Sequence, residues 1–172
     1  EAKTQNLGET KTIGIDMSFN FRFPKSDLGT FKASFDSTYI TKYDLQLEKG
    51  GEFFSNNGKY FKGQSIIRFR HSTAVDWSRG EFGAHTSYNF TQGYEDYTPG
   101  RRVANFETVD AQVTWEPKSL LKGLSLSFGI KNLLDRDPPA SNQDDTFQVG
   151  YDPRYSDPRG RIMYGKLSYS WT

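Results

Sequence analysis

The sequence predicts an all-β chain, an antiparallel sheet of about seven strands belonging to a transmembrane β-barrel. Three observations lead there. Apolar and polar residues alternate with a period of two through most of the chain, as in strands with one apolar and one wet face. The alternating runs are long, near the roughly nine to eleven residues that a tilted strand needs to cross a bilayer and beyond the usual five or six of a soluble strand. The segments between them are short and long in strict alternation, as in outer-membrane barrels with brief periplasmic turns and longer extracellular loops.

The first strand is expected over Lys11–Phe23, with Ile13, Ile15, Met17, Phe19, Phe21 and Phe23 facing away from Thr12, Gly14, Asp16, Ser18, Asn20 and Arg22. Pro24 to Gly29 is a turn by composition. The second strand runs from Thr30 towards Glu48, with Phe31, Ala33, Phe35, Ser37, Tyr39, Tyr43, Leu45 and Leu47 on one face and Lys32, Asp36, Lys42, Asp44 and Glu48 on the other. Gly50 to Gly63 reads as a long loop and Gln64–Trp77 as the third strand, in which His71 falls on the apolar face and predicts a bulge or an interfacial position. Ser78-Arg79-Gly80 turns into a fourth strand over Glu81–Thr91. A second long loop covers Gln92 to Asn105, a fifth strand Phe106–Glu116, and a turn Pro117 to Gly123. Leu124, Leu126, Phe128 and Ile130 then alternate with Ser125, Ser127, Gly129 and Lys131. After a loop rich in proline the pattern restarts at Met163 and runs to Trp171.

With the short turns on one side, Phe23, Phe31, Trp77, Phe82, Trp115 and Trp171 fall at one level beside them, a set that holds all three tryptophans of the chain. That is the pattern of an aromatic girdle at a membrane interface. A soluble β-sandwich or jelly roll would explain the alternation, but not the strand lengths, the loop asymmetry or the levelled aromatics.

The segment Phe128-Gly-Ile-Lys-Asn-Leu-Leu-Asp-Arg-Asp-Pro-Pro139, with Asp157-Pro-Arg-Gly-Arg-Ile-Met-Tyr-Gly-Lys-Leu-Ser-Tyr-Ser-Trp171, resembles the C-terminal end of TonB-dependent outer-membrane receptors. The resemblance implies that residues 1–172 are the C-terminal part of a plugged barrel of roughly 22 strands, importing a scarce ligand across the bacterial outer membrane, with an iron-siderophore complex as the default. The N-terminal barrel strands, the plug domain and the TonB box, through which TonB would couple, are expected outside this chain. Thr172 after Trp171 departs from the family's aromatic final residue. A small structural or adhesive barrel without transport would need one more strand.

Composition agrees. Only 34% of residues are hydrophobic while 16% are aromatic, and the net charge is +1, with no basic face for nucleic acid. A mean hydropathy of -0.76 is compatible with a barrel, because lumen-facing residues are polar. No apolar run approaches a spanning helix, and Glu1 to Glu9 lacks the apolar core of a signal peptide. With no cysteine, disulfides and thiolate zinc sites are excluded. No catalytic residue, metal site or cofactor is predicted: His71 and His85 lie on opposite faces by parity, and Asp135, Asp137, Asp144 and Asp145 follow no calcium-loop spacing. Arg68, Arg70, Asp36, Asp110 and Lys131 read as the polar lumen wall. The ligand candidates lie in the outer loops, Tyr94, Tyr97, Arg101 and Arg102 in one and Tyr151, Arg154 and Tyr155 in another, residue types suited to an anionic or aromatic chelate.

Overall fold

The computed structural model describes residues 8–142 and 149–171. In chain order the strands are β1 (Thr10–Arg22), β2 (Thr30–Gln46), β3 (Phe53–Ser55), β4 (Tyr60–Phe61), β5 (Gln64–Ser65), β6 (Phe69–Arg79), β7 (Phe82–Thr91), β8 (Phe106–Trp115), β9 (Leu124–Lys131) and β10 (Ile162–Tyr169). One antiparallel sheet runs β1-β2-β6-β7-β8-β9-β10, each long strand beside its sequence neighbour, with β3 added to the end of β2 and β4-β5 apart. The seven-strand meander is therefore as expected. The third long strand begins later than the alternation implies, at Phe69. Gln64 and Ser65 instead close a tight hairpin on Tyr60 and Phe61, made possible by positive φ at both Lys62 (48°) and Gly63 (80°).

Cross-strand partners share a face, so the register decides what each face carries. Phe19 pairs with Phe35, Phe31 with Trp77, Tyr88 with Val109, and Val113 with Phe128, which makes one face continuously apolar. Nothing among the described residues covers it: Ile15, Phe19, Phe82, Val113 and Leu167 are all exposed. Among the described residues the buried hydrophobic cluster lies off the sheet, in the loops, as Tyr60, Ile67, Tyr94 and Val103 with Tyr155 against them. A sandwich would bury its sheet faces against each other. A bare apolar face of this extent is what a lipid-facing wall presents.

The face assignment of β2 fails beyond Tyr39. Ile13 pairs with Lys42 but Gly14 with Ile40, so Thr41 is an extra residue and the alternation of β2 reverses there. Lys42 and Asp44 consequently continue the apolar face, joined by a 3.1 Å ion pair, while Tyr43 and Leu45 turn to the polar face. The bulge is pinned by Thr41 Oγ1, which donates to the Ile13 carbonyl at 3.1 Å, and by Asn57 Nδ2, which donates to the carbonyls of Ile40 and Thr41. At His71 there is no bulge, since β6 keeps unbroken register with β2 and β7. Its ring packs among Phe35, Phe69, Tyr88 and Phe90, with centroids 5.4 to 5.6 Å away.

The aromatics beside the turns lie on a slant. Phe23, Phe31 and Trp77 share one cross-strand row, Phe82 and Trp115 lie two residues nearer the turns, and Trp171 four further, beyond Leu167, the partner of Leu126. Six residues of stagger, about 20 Å, over six strand steps, about 29 Å, give a slope of about 35°. A sheet closing into a barrel needs a tilt of that size. At this tilt the apolar stretch of β2 from Phe31 to Tyr39 spans about 22 Å across the slant, close to the roughly 25 Å apolar band of an outer-membrane barrel.

The motif residues of the last third meet one another. Gly129 pairs with Tyr164, whose ring lies over the glycine and whose hydroxyl donates to Gln112 Oε1 at 2.9 Å. At the end of β9, Asn132 takes up positive φ, its amide N–H donates to Asp110 Oδ1, and its side chain exchanges hydrogen bonds with the Arg136 backbone. Asp135 Oδ1 accepts the Arg161 N–H at 2.8 Å, and a Cβ on Gly160 would come within 2.9 Å of the same oxygen. The two motif segments thus form one joint across the terminal hairpin.

Candidate functional site

Opposite the slanted aromatics, the three long connections fold together into a cap. Its backbone frame joins the first two loops through Tyr60 N–H to the Glu95 carbonyl and Glu95 N–H to the Gly58 carbonyl, and closes the third on itself through Ser141 N–H to the Gly150 carbonyl. Its centre is polar. Tyr94 is 2% exposed, and its hydroxyl donates to Asp152 Oδ2 at 3.0 Å and lies 3.1 Å from Ser141 Oγ. Asp152, 3% exposed, also accepts from the Ser65 hydroxyl and from the backbone N–H and Nε of Arg154. Burial alone would raise the Asp152 pKa, but these donors, Ser65 foremost, hold it below the ordinary carboxylate value. Burial drives the Tyr94 phenol the other way, up to about 12.

A second buried carboxylate lies nearby. Asp96 accepts from the N–H groups of Tyr97 and Asn142 and from the Ser141 hydroxyl, and pairs with Arg101 Nε at 3.4 Å. Ser141 therefore links the two carboxylates through Tyr94. Each buried acid holds one arginine whose outer end stays partly exposed, Arg101 on Asp96 and Arg154 on Asp152, with Arg154 Nη1 also donating to the Gly63 carbonyl. A guanidinium fixed from behind by a buried carboxylate keeps outward N–H groups in a set orientation for an anion.

The predicted ligand residues divide accordingly. Tyr94 and Tyr155 are cap interior: Tyr155 donates to the Ser65 carbonyl at 2.6 Å and burial raises its pKa. Tyr97 stands 55% exposed, edge-on to Tyr60 with centroids 5.7 Å apart. Arg102 is exposed, with no side-chain partner among the described residues, and Tyr151 is half-buried. Asp144 and Asp145 lie outside the described residues; Asp135 belongs to the terminal joint. Sequence reasoning missed Asp96, Asp152, Ser65 and Ser141 as the centre of the cap. One signal was available, the repeat Asp152-Pro-Arg154 and Asp157-Pro-Arg159. Both form the same turn, in which the carboxylate accepts from the arginine's backbone N–H and its Nε. The second copy is exposed, and Arg159 draws the Asp157 pKa down to about 2.

Of the residues read as the polar wall, Arg68 is an exception: it precedes β6 and its side chain lies beside Gly58 of the cap, because the strand starts only at Phe69. Asp36 and Asp110 share the polar face with Arg70 and with His85, whose Nδ1 is 2.8 Å from Asp76 Oδ1. At the turns, Trp77 Nε1 donates to the Leu28 carbonyl at 2.8 Å. Among the described residues no cluster of metal-ligating side chains occurs. The family model described as TonB-dependent receptor-like β-barrel matches residues 2–133, reaching the strands that alternation alone had placed. No curated protein and no solved structure matches the chain.

Proposed function

The chain belongs to the TonB-dependent receptor-like β-barrel family, whose members are transporters of the bacterial outer membrane coupled to TonB and not enzymes, and from this premise we propose that it is the C-terminal part of such a receptor's barrel. Two sheet edges that are open among the described residues, β1 and β10, support the reading, because a barrel that spans lipid must pair every edge. We further propose that Phe23, Phe31, Trp77, Phe82, Trp115 and Trp171 lie at the periplasmic interface of the outer membrane. Their slant of about 35°, which turns level once the strands tilt, supports this.

The ligand proposed is an anionic or aromatic chelate, an iron-siderophore complex by preference, held jointly by the outer cap and a plug contributed from outside this chain. The observation that carries this is the pair of outward guanidinium groups, Arg101 and Arg154, each anchored on a buried carboxylate, beside exposed Tyr97 and Arg102. Arg102 gives the clean test. In the complete receptor Arg102→Ala should weaken binding by roughly tenfold to a hundredfold, the worth of one charge-assisted hydrogen bond of about 1.5 to 3 kcal/mol, with the barrel still folded. Titration with ferric siderophores against haem and cobalamin separates the ligand classes. Unchanged affinity for every ligand that binds would remove the cap from the site.

A further inference from the structure

The apolar wall is not evenly filled. On its outward face the cross-strand row Trp77, Ala84, Val113 and Phe128 sets two smaller residues between two large ring systems, and in the next row from the turns Thr86 and Ala111 continue the small residues along β7 and β8. A furrow results, with Trp77 on β6 and Phe128 on β9 as walls three strand steps, about 14 Å, apart. Towards the turns it ends at the row Phe82, Trp115 and Leu126. An open groove of about 450 Å³, lined almost wholly by apolar surface, occupies this part of it. Beside its lower end stands a cation: Arg79, the cross-strand partner of Phe82 and two residues beyond Trp77 on the same face, is exposed and has no acceptor among the described residues. The acids of these turns are engaged or offset. Glu81 Oε1 accepts the Ser119 N–H at 2.8 Å, Glu116 pairs with Lys118, and Asp27 shares its turn with Lys25.

We propose that the furrow is a binding site for one anionic phospholipid of the periplasmic leaflet, with an acyl chain laid over Ala84 and Val113 and the headgroup phosphate beside Arg79. A chain in the furrow touches a floor and two walls, where a flat stretch of the same face would offer only a floor, so it gains dispersion contacts that bulk lipid lacks. The level of the groove suits the two ends of such a lipid. Trp77, Phe82 and Trp115 belong to the row of interfacial aromatics, which places the groove just inside the hydrocarbon and Arg79 among the headgroups. A guanidinium takes a phosphate through two parallel N–H bonds, and an anionic headgroup leaves that charge pair uncontested. The proposal rests on the receptor reading, in which the apolar face meets lipid.

The test uses the complete receptor reconstituted in phosphatidylcholine bilayers that carry a trace of phosphatidylglycerol with a diazirine on its acyl chain, and, in a second arm, the same chain on phosphatidylcholine. Photolysis should label β7 and β8 about tenfold more strongly with the phosphatidylglycerol probe, the worth of one charge-assisted contact. R79E should remove that preference and R79K retain it, while A84F, which fills the floor, should lower labelling by both probes. Heat-modifiable migration reports whether each variant is a folded barrel. Equal labelling by the two probes, a preference unchanged in R79E, labelling indifferent to A84F or spread evenly over the apolar face, or capture of a second copy in place of lipid overturns the lipid site and leaves the receptor reading standing. A wild-type protein that forms no heat-modifiable barrel overturns both.

Discussion

Gly129→Ala tests the joint of the terminal hairpin. An added Cβ would lie 2.6 Å from Tyr164 Cε1 and nearer still to the end of the ring, well inside contact distance. The ring can escape only by pivoting off the polar face, which also breaks its 2.9 Å hydrogen bond to Gln112. Overpacking of this kind costs about 1 to 3 kcal/mol and the lost hydrogen bond about 0.5 to 1.5, so the variant should be destabilised by about 2 to 4 kcal/mol. Tyr164→Phe removes the hydrogen bond alone and should cost about 0.5 to 1.5 kcal/mol. With Tyr164→Ala the ring is gone, and adding Gly129→Ala should then cost little. Urea unfolding of the complete receptor in detergent, run on both single variants and the double, gives the coupling energy directly. Additive losses would show that ring and glycine are not packed against each other and would refute the joint.

Ile15→Arg should cost about 2 to 4 kcal/mol if Ile15 faces lipid near the midplane, whereas Asp16→Asn on the polar face should cost little; equal shifts in heat-modifiability would contradict the register. Without its parent, the chain should aggregate or require detergent, because its apolar face and two sheet edges are bare, and a cooperative melt of a monomer in plain buffer would speak for a sandwich. The cap should loosen at both ends of the pH scale, read by limited proteolysis of the outer loops. Asp152, with its folded pKa lowered, contributes stability above the usual carboxylate value that is lost as pH falls through the folded one. Tyr94, raised to about 12, contributes stability that is complete below its ordinary value near 10 and is lost as pH climbs through 12. Asp152→Asn should abolish the acid transition and leave the alkaline one.

The sheet was legible because a strand's side chains obey one rule, alternation, and the apolar face obeys it through most of every long strand. The rule fails where one residue is added. Thr41 is an ordinary strand residue by composition, and only the pairing of Ile13 and Gly14 with Lys42 and Ile40 reveals the shift. Its consequence has a physical reason. Above Tyr39 the wall leaves the apolar band, so a reversed alternation that turns Lys42 and Asp44 outward places charge where water or headgroups lie, and sends Leu45 inward to pair with Phe54 of the cap. Continued alternation would have put Tyr43 and Leu45 into solvent and two charges against the loops. The cap was illegible for a different reason: it is held by buried acids whose partners come from loops up to 87 residues apart, as Asp152 and Ser65 are. Tyr94 and Tyr97 have the same side chain in the same loop, and nothing local distinguishes the one that is 2% exposed from the one that is 55% exposed. Only the partner does. Asp152 claims Tyr94 from across the cap, whereas Tyr97 packs its ring against Tyr60 and stays exposed.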